Sequence, residues 1–323
     1  MTSSIRPASL QEFVGQESAR RILCVLITAA KRRNEPVPHL LMSGPAGLGK
    51  TTLARIVAGE MSGRLVEMVG GAVKTAHDMT HHLLQLKPND VLFIDEIHAL
   101  PRKIEEVLYG AMEDGVVAVE QRGFNDLMRQ LGVQHGEKSV ATHTLPPFTL
   151  IAATTMAGLC SAPLRSRFRQ VLELQPYRDS ELQAIVASAG AKLGFEMDPE
   201  MTMEIAKRSR GTARIAINHL LWFRDVVQGD GGVPTMELLQ VAFEMKGIDR
   251  EGLTQTDREV LHKLIDAGDA VGVETLATAV GESVETLTDS IEPHLLRAGF
   301  INRTPRGRIA TEKARELFQE VTA

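Results

Sequence analysis

Cysteine is nearly missing from this chain: Cys24 and Cys160 are the 2 thiols in 323 residues, and their spacing fits neither a disulfide framework nor a metal-ligand motif. Reduced thiols serving as small apolar residues are the expectation, with no disulfide. Ten histidines include the neighbours His81 and His82 and the isolated His98. No C-x-x-C pair is present, and no structural zinc is expected. No stretch approaches the roughly 18 uncharged apolar residues of a membrane span. The opening "MTSSIRPASLQEF" lacks the apolar core of a signal peptide, and the expected location is the cytoplasm. Internal repeats and low-complexity segments are absent as well. What remains, 43% hydrophobic and 24% charged residues with a formal charge of −5, is a globular composition long enough for two or three domains.

Organisation changes along the chain. A helix-like apolar run at Ile22–Ala30 leads into "PVPHLLMSGPAGLGKTTLARIVAGEM", which reads as a buried strand, a glycine-rich turn and a helix. Two further strand-like runs, "VLFID" from Val91 and "FTLIAATT" from Phe148, are almost wholly apolar, as strands covered on both faces must be. The fold class expected is therefore α/β, a parallel sheet with flanking helices over residues 1–178. From Ser180 the pattern turns helical, with breakers at Gly194 and "GDGGVP". Residues 179–248 read as a small all-helical domain. Residues 249–323 carry three short helical patterns, the stretch "GFINRTPRGRIA" and a final helix, the order of a winged helix.

Chemistry begins at Gly44. "GPAGLGKT" fills G-x-x-x-x-G-K-[ST], follows an apolar strand and opens a helix. Gly44, Pro45, Ala46, Gly47, Leu48 and Gly49 present backbone N–H groups to phosphate oxygens, and the helix N-terminus adds partial positive charge. Lys50 neutralises β/γ-phosphate charge, and Thr51, followed by Thr52, offers a hydroxyl to Mg²⁺. At the end of "VLFIDEIH" an acidic pair is costly unless a cation or water uses it. Asp95 is expected in the magnesium shell, and Glu96 is expected to orient or deprotonate the attacking water. Thr154 and Thr155 bring hydroxyls to the next strand end. "APLRSRF" sets Arg165 and Arg167 two positions apart, where one of them can reach a neighbouring subunit's nucleotide. "RGTARIAINHL" places Arg214 at a helix start after a Gly-Thr break.

These strings, with "IRP", "FVGQ", "EEVLYGAMED", "LPPFTLIAATT" and "GFINRTPRGRIAT", resemble the RuvB family from about Ile5 to Phe318. The resemblance implies an AAA+ P-loop ATPase domain, a helical lid and a C-terminal winged helix, using ATP and Mg²⁺ in a homo-hexameric ring on duplex DNA or a four-way junction. It makes Ile5 and Arg6 flank the adenine, Thr155 with Thr154 sensor 1, Arg214 sensor 2, and Tyr177 a nucleotide contact. Arg165 and Arg167 form the finger region, with Arg167 favoured, and Glu113 and Asp114 face the neighbouring subunit's site. Arg303 and Arg308 become DNA contacts on the wing, with Arg306 between them. Composition agrees, since Arg297, Arg303, Arg306, Arg308, Lys313 and Arg315 face only Glu312 across that stretch.

The chain departs from the family at residues 116–144. Here the family carries a short hydrophobic hairpin that docks its junction-binding partner RuvA. "VVAVEQ" and "SVATHT" fit the two strands, but the segment between is longer, with Phe124, Leu127, Met128 and Leu131 at helical spacing. A partner surface for a RuvA-like loader and packing against its own domain are both open readings. Ala46 replaces a usual proline, and Met156 replaces a usual arginine. Three function classes follow: a branch-migration motor, a DNA-bound ATP switch acting as loader or regulator, and a protein-remodelling machine. The last usually grips peptides with an aromatic pore residue, and Glu67–His82 contains no Phe, Tyr or Trp.

Overall fold

The structure is a computed structural model that describes residues 5–120 and 140–319. Contacts divide the chain into two compact units, Met1–Glu181 with Thr212–Arg214, and Leu182–Gly211 with Ile215–Ala323.

The first unit is built on five parallel strands, β1 (Leu40–Ser43), β2 (Leu65–Val69), β3 (Val91–Asp95), β6 (Thr149–Thr154) and β7 (Gln170–Glu173), in the order β2-β3-β6-β1-β7. Position in the sheet follows sequence. The uninterrupted apolar runs of β1, β3 and β6 are buried on both faces, whereas β2 and β7, which mix in Glu67, Gln170 and Glu173, lie at the edges. Helix α1 (Glu17–Arg33) precedes β1, and helices α2 (Lys50–Glu60), α3 (Ala76–Leu84) and α4 (Arg102–Glu113) follow β1, β2 and β3. Helix α1 places Glu17 in its first turn and Lys31, Arg32 and Arg33 in its last, matching the helix dipole. Helix α3 starts on a capping box between Thr75 and Asp78. Between α4 and β6, β4 (Val116–Glu120) and β5 (Val140–Thr144) pair antiparallel. The candidate tip residues Phe124, Leu127, Met128 and Leu131 lie outside the described residues.

The second unit holds the helices Pro199–Lys207 and Met236–Met245, most of Ala213–Asp230, and a C-terminal helical group. Gln255–Ala267 and Val273–Ala279 precede a segment that runs through Val284–Thr286, a π-turn at Leu287–Ile291 and Glu292–Arg297. Pro293 accounts for the π-turn, because it brings no N–H to the carbonyl four residues before it. Leu261, Leu264, Leu276, Leu287, Leu295 and Phe300 form the core. β8 (Ile301–Thr304) and β9 (Gly307–Ala310) make the wing hairpin, and Val271 exchanges backbone bonds of 2.8 Å with Arg308 in a third-strand position. A side chain at Gly307 is excluded, since its Cβ would lie 2.1 Å from the Val271 carbonyl oxygen. Within this unit Arg210 ion-pairs with the fully buried Asp257 and donates to Gly252 O at 2.8 Å, while Arg297 donates to Arg210 O at 3.0 Å. These bonds tie the loop before residue 212 to the C-terminal group.

Candidate nucleotide site and wing

Register brings three strand ends together. Ser43 pairs with Thr154 and Ile94 with Ala152, so the loop after β1, the acidic pair after β3 and the threonines ending β6 lie side by side at the carboxyl edge of the sheet. This is the edge where open α/β sheets bind ligands. The amide of Gly44 donates to Thr154 O at 3.2 Å, anchoring the loop to β6.

The loop's shape depends on its glycines. Gly44, Gly47 and Gly49 hold φ of 133°, 80° and 103°, and each is pressed by a different segment. A Cβ would meet Leu174 O at 2.4 Å from Gly44, Thr212 Cγ2 at 2.7 Å from Gly47, and Phe13 Cζ at 2.9 Å from Gly49. Arg214 also reaches the loop, its amide donating to Gly47 O at 3.2 Å. Tyr177 is buried, donates to Leu48 O at 2.8 Å, and has its phenol pKa pushed up by burial. Ile5 is buried and Arg6 exposed, whereas Phe13, which sequence reasoning missed, makes the close approach to the loop.

Lys50 opens α2 and is 7% exposed. Its ammonium donates to Gly44 O at 2.6 Å and Pro45 O at 2.9 Å. Burial lowers its pKa, the charges of Glu96 and Asp95 push the other way, and Arg214 adds to the lowering. The fit to Mg²⁺ follows from the donor set. Thr51 and Asp95 offer one hydroxyl and one carboxylate, which suits an ion completed by phosphate oxygens and water. Among the described residues no group of three His, Cys, Asp or Glu gathers into an all-protein metal site.

Glu96 adopts φ 48° and ψ 52°, the left-handed region rarely taken by a non-glycine residue. Its Oε2 accepts from the amide of Thr155 at 3.1 Å and from Thr155 Oγ1 at 3.0 Å. The two threonines therefore divide. Thr155 holds Glu96, and Thr154 Oγ1 accepts from the amide of Met156 at 3.0 Å and sits 2.9 Å from His98 Nδ1.

The two finger candidates differ. Arg165 is exposed. Arg167 lies over the Tyr109 ring with its guanidinium carbon 4.1 Å from the centroid, and donates to Pro163 O at 2.7 Å and Glu113 Oε2 at 3.1 Å. Among the described residues its buried Nε has no hydrogen-bond partner. Asp114, the C-cap of α4, is exposed beside Glu113.

On the wing, Arg303 and Arg308 are cross-strand partners, and like charges opposed in this way repel. Glu292, 0% exposed, lies between them. Arg303 Nε donates to its Oε2 at 2.9 Å, Arg308 Nη2 reaches the same oxygen at 3.2 Å, and Arg308 Nε bonds Oε1. The side chain of Arg303 stays 52% exposed and that of Arg308 only 15%. Arg306, at the hairpin turn, is exposed.

Family models match the chain in three segments. The model of the Holliday junction DNA helicase RuvB P-loop domain matches residues 5–174, that of the RuvB AAA lid domain residues 177–249, and that of the RuvB C-terminal winged helix domain residues 250–319. The Thermotoga maritima RuvB Holliday junction branch migration motor is 40% identical, covers 98% of each chain and superposes with a TM-score of 0.84. A variant of that protein, also 40% identical, covers 97% of this chain and 98% of its own with a TM-score of 0.85. The Aeropyrum pernix ORC2 protein, 13% identical over 94% of this chain and 92% of its own with a TM-score of 0.53, shares the fold. No helix among the described residues is long and apolar enough to cross a membrane.

Proposed function

The chain belongs to the RuvB family, and from that premise we propose that it is an ATP-driven motor moving duplex DNA to promote branch migration of Holliday junctions. The observation that carries this is the meeting of Lys50, Asp95, Glu96 and Thr155 at three adjacent strand ends, with Arg214 bonded to the phosphate loop.

Backbone N–H groups of the loop and Lys50 bind the β- and γ-phosphates of ATP, and Tyr177 and Phe13 brace the loop. Thr51 and Asp95 would hold Mg²⁺ with the nucleotide, and the ion would supply neutralisation of phosphate charge. Glu96 orients the attacking water and takes its proton, held in place by Thr155. An arginine at residue 165 or 167 reaches the nucleotide of the next subunit in a hexameric ring, with Glu113 and Asp114 on the same face. Arg214, bonded to the loop, acts on the same nucleotide. Arg303, Arg306 and Arg308 present the wing to DNA phosphates without reading bases, as a motor tolerant of any sequence requires. A RuvA-like loader docks on the hairpin formed by β4 and β5, and the site of action is the cytoplasm.

A strand-displacement assay on a synthetic four-way junction tests the reading. The wild-type chain should separate the junction with ATP and fail without it. Glu96→Gln should keep nucleotide affinity near normal and abolish turnover, because shape is preserved and only the carboxylate is removed. Steady ATP turnover on a bound junction that never separates would replace the motor with a DNA-bound switch.

A further inference from the structure

His98 has no part in the reading above, yet it touches the centre of the site. Backbone geometry brings it there. After the left-handed turn at Glu96, one 3₁₀ turn, Ile97–Ala99, is closed by the amide of Ala99 donating to Glu96 O at 2.9 Å. Gly70, at the end of β2, packs on the same peptide, since a Cβ there would stand 2.5 Å from the Glu96 carbonyl oxygen. The imidazole is thereby folded back over the Glu96 side chain. Its Nδ1 lies 2.9 Å from Thr154 Oγ1 and 3.2 Å from Glu96 Oε2, with the side chain 15% exposed.

A proton count fixes which partner donates. An ionised carboxylate only accepts, so a bare Nδ1 at this distance would set one lone pair against another. Nδ1 must therefore carry the hydrogen. Thr154 Oγ1 then accepts from both Nδ1 and the amide of Met156. Oε2 of Glu96 accepts from Thr155 N and Thr155 Oγ1 and has His98 Nδ1 3.2 Å away, while among the described residues Oε1 accepts no hydrogen bond.

We propose that His98 is a positioning residue for ATP hydrolysis, its Nδ1–H bonded to the Thr154 hydroxyl and held 3.2 Å from the Glu96 carboxylate, so that Oε2 is fixed and Oε1 faces the attacking water. The inference rests on the role given to Glu96 above. It extends the site by one residue and links Glu96 to the end of β6 through two contacts, Thr155 and His98.

The test compares His98→Leu, His98→Asn and His98→Gln in the full-length chain, reading kcat, KM, nucleotide Kd and thermal midpoint. Leucine keeps bulk and removes the donor, asparagine carries a donor at the reach of Nδ1, and glutamine carries one a bond farther out. His98→Leu should lower kcat roughly 10–100-fold, the scale of a misplaced catalytic group, with Kd changed less than about twofold. His98→Asn should stay within about threefold of wild type and His98→Gln should fall with the leucine variant. If leucine prevents folding, the contrast between asparagine and glutamine carries the test. Equal kcat in all variants, or equal loss in all three, overturns the proposal. Glu96→Gln separates the two levels: retained turnover there sinks the role of Glu96 itself, whereas loss there with a fully active His98→Leu sinks only His98.

Discussion

Replacing Arg308 with alanine should damage the wing before it damages DNA binding. Glu292 is 0% exposed and is held by both wing arginines. Removing one partner of a buried ion pair costs about 3–5 kcal/mol, because a charge is left behind in a medium that cannot solvate it. Arg303 still donates to Oε2, so the lower end applies, about 3 kcal/mol. For a unit of this size that lowers the thermal midpoint by roughly 6–12 °C. Arg303→Ala should cost less, about 1 kcal/mol or below, because that side chain is 52% exposed and solvent screens it. Adding Glu292→Gln to Arg308→Ala removes the stranded charge and should restore most of the midpoint. The same geometry sets the DNA effect. Two arginines against one carboxylate leave one net positive charge, so removing both arginines together with the carboxylate should flatten log K against log salt by about 0.9, rather than about 1.8 for two independent phosphate contacts. Arg306→Ala should flatten it by about 0.9 with no change in midpoint. Differential scanning calorimetry and salt titrations on unrelated duplexes measure both quantities. An unchanged midpoint in Arg308→Ala with the full two-contact loss of slope would refute the reasoning, and would make the arginines phosphate ligands that owe nothing to Glu292.

Gly47→Ala should abolish nucleotide binding, because it forces a side chain into left-handed backbone 2.7 Å from Thr212 and 2.8 Å from Arg214; wild-type affinity by equilibrium titration would contradict the packing described. Mixing Arg167→Ala subunits with Glu96→Gln subunits should recover part of the ATPase activity where an intact site meets an intact finger, and no recovery at any ratio, with rings formed, would remove the trans arginine. Burial holds His219 and His294 neutral, with pKa lowered to about 4. Unfolded histidines titrate near 6.5, so stability is complete above that value and is lost as pH falls toward 4, by about 1.4 kcal/mol per pH unit for each. Denaturant midpoints at pH 7.5 and 5 measure this loss, which His219→Gln should reduce.

Much of the candidate nucleotide site's placement at the strand ends was legible because its signals are local. A glycine loop between an apolar strand and a helix needs only consecutive residues, and Lys50, Asp95 and Glu96 each end or follow a run whose burial is plain from composition. What was not legible depends on residues distant in sequence meeting in space. Phe13 reads as an ordinary apolar residue until Gly49 is seen to leave room only for its ring. Glu292 reads as a solvated helix charge beside Asp289, because nothing in its neighbourhood announces that Arg303 and Arg308 will cover it. Tyr109 gives no hint in "EEVLYGAMED" that Arg167 stacks on it from 58 positions away. The sheet's middle strands were similarly plain, while β2, with exposed Glu67 and Val69, lacks an unbroken apolar run.

The chain passes between its two units at three peptide bonds, after Glu181, Gly211 and Arg214. The middle excursion is only Thr212–Arg214, and those residues complete the wall against Gly47. A fragment that stops at residue 181 therefore lacks part of its own phosphate loop's packing, although the whole sheet is present. The same holds for inheritance. A single recombination event near residue 181, joining the front half of one gene to the back half of another, pairs Gly47 from one parent with Thr212 and Arg214 from the other. Such chimaeras should tolerate differences across most of the second unit and fail on those three residues, which makes them a unit of descent with the loop rather than with the helices around them.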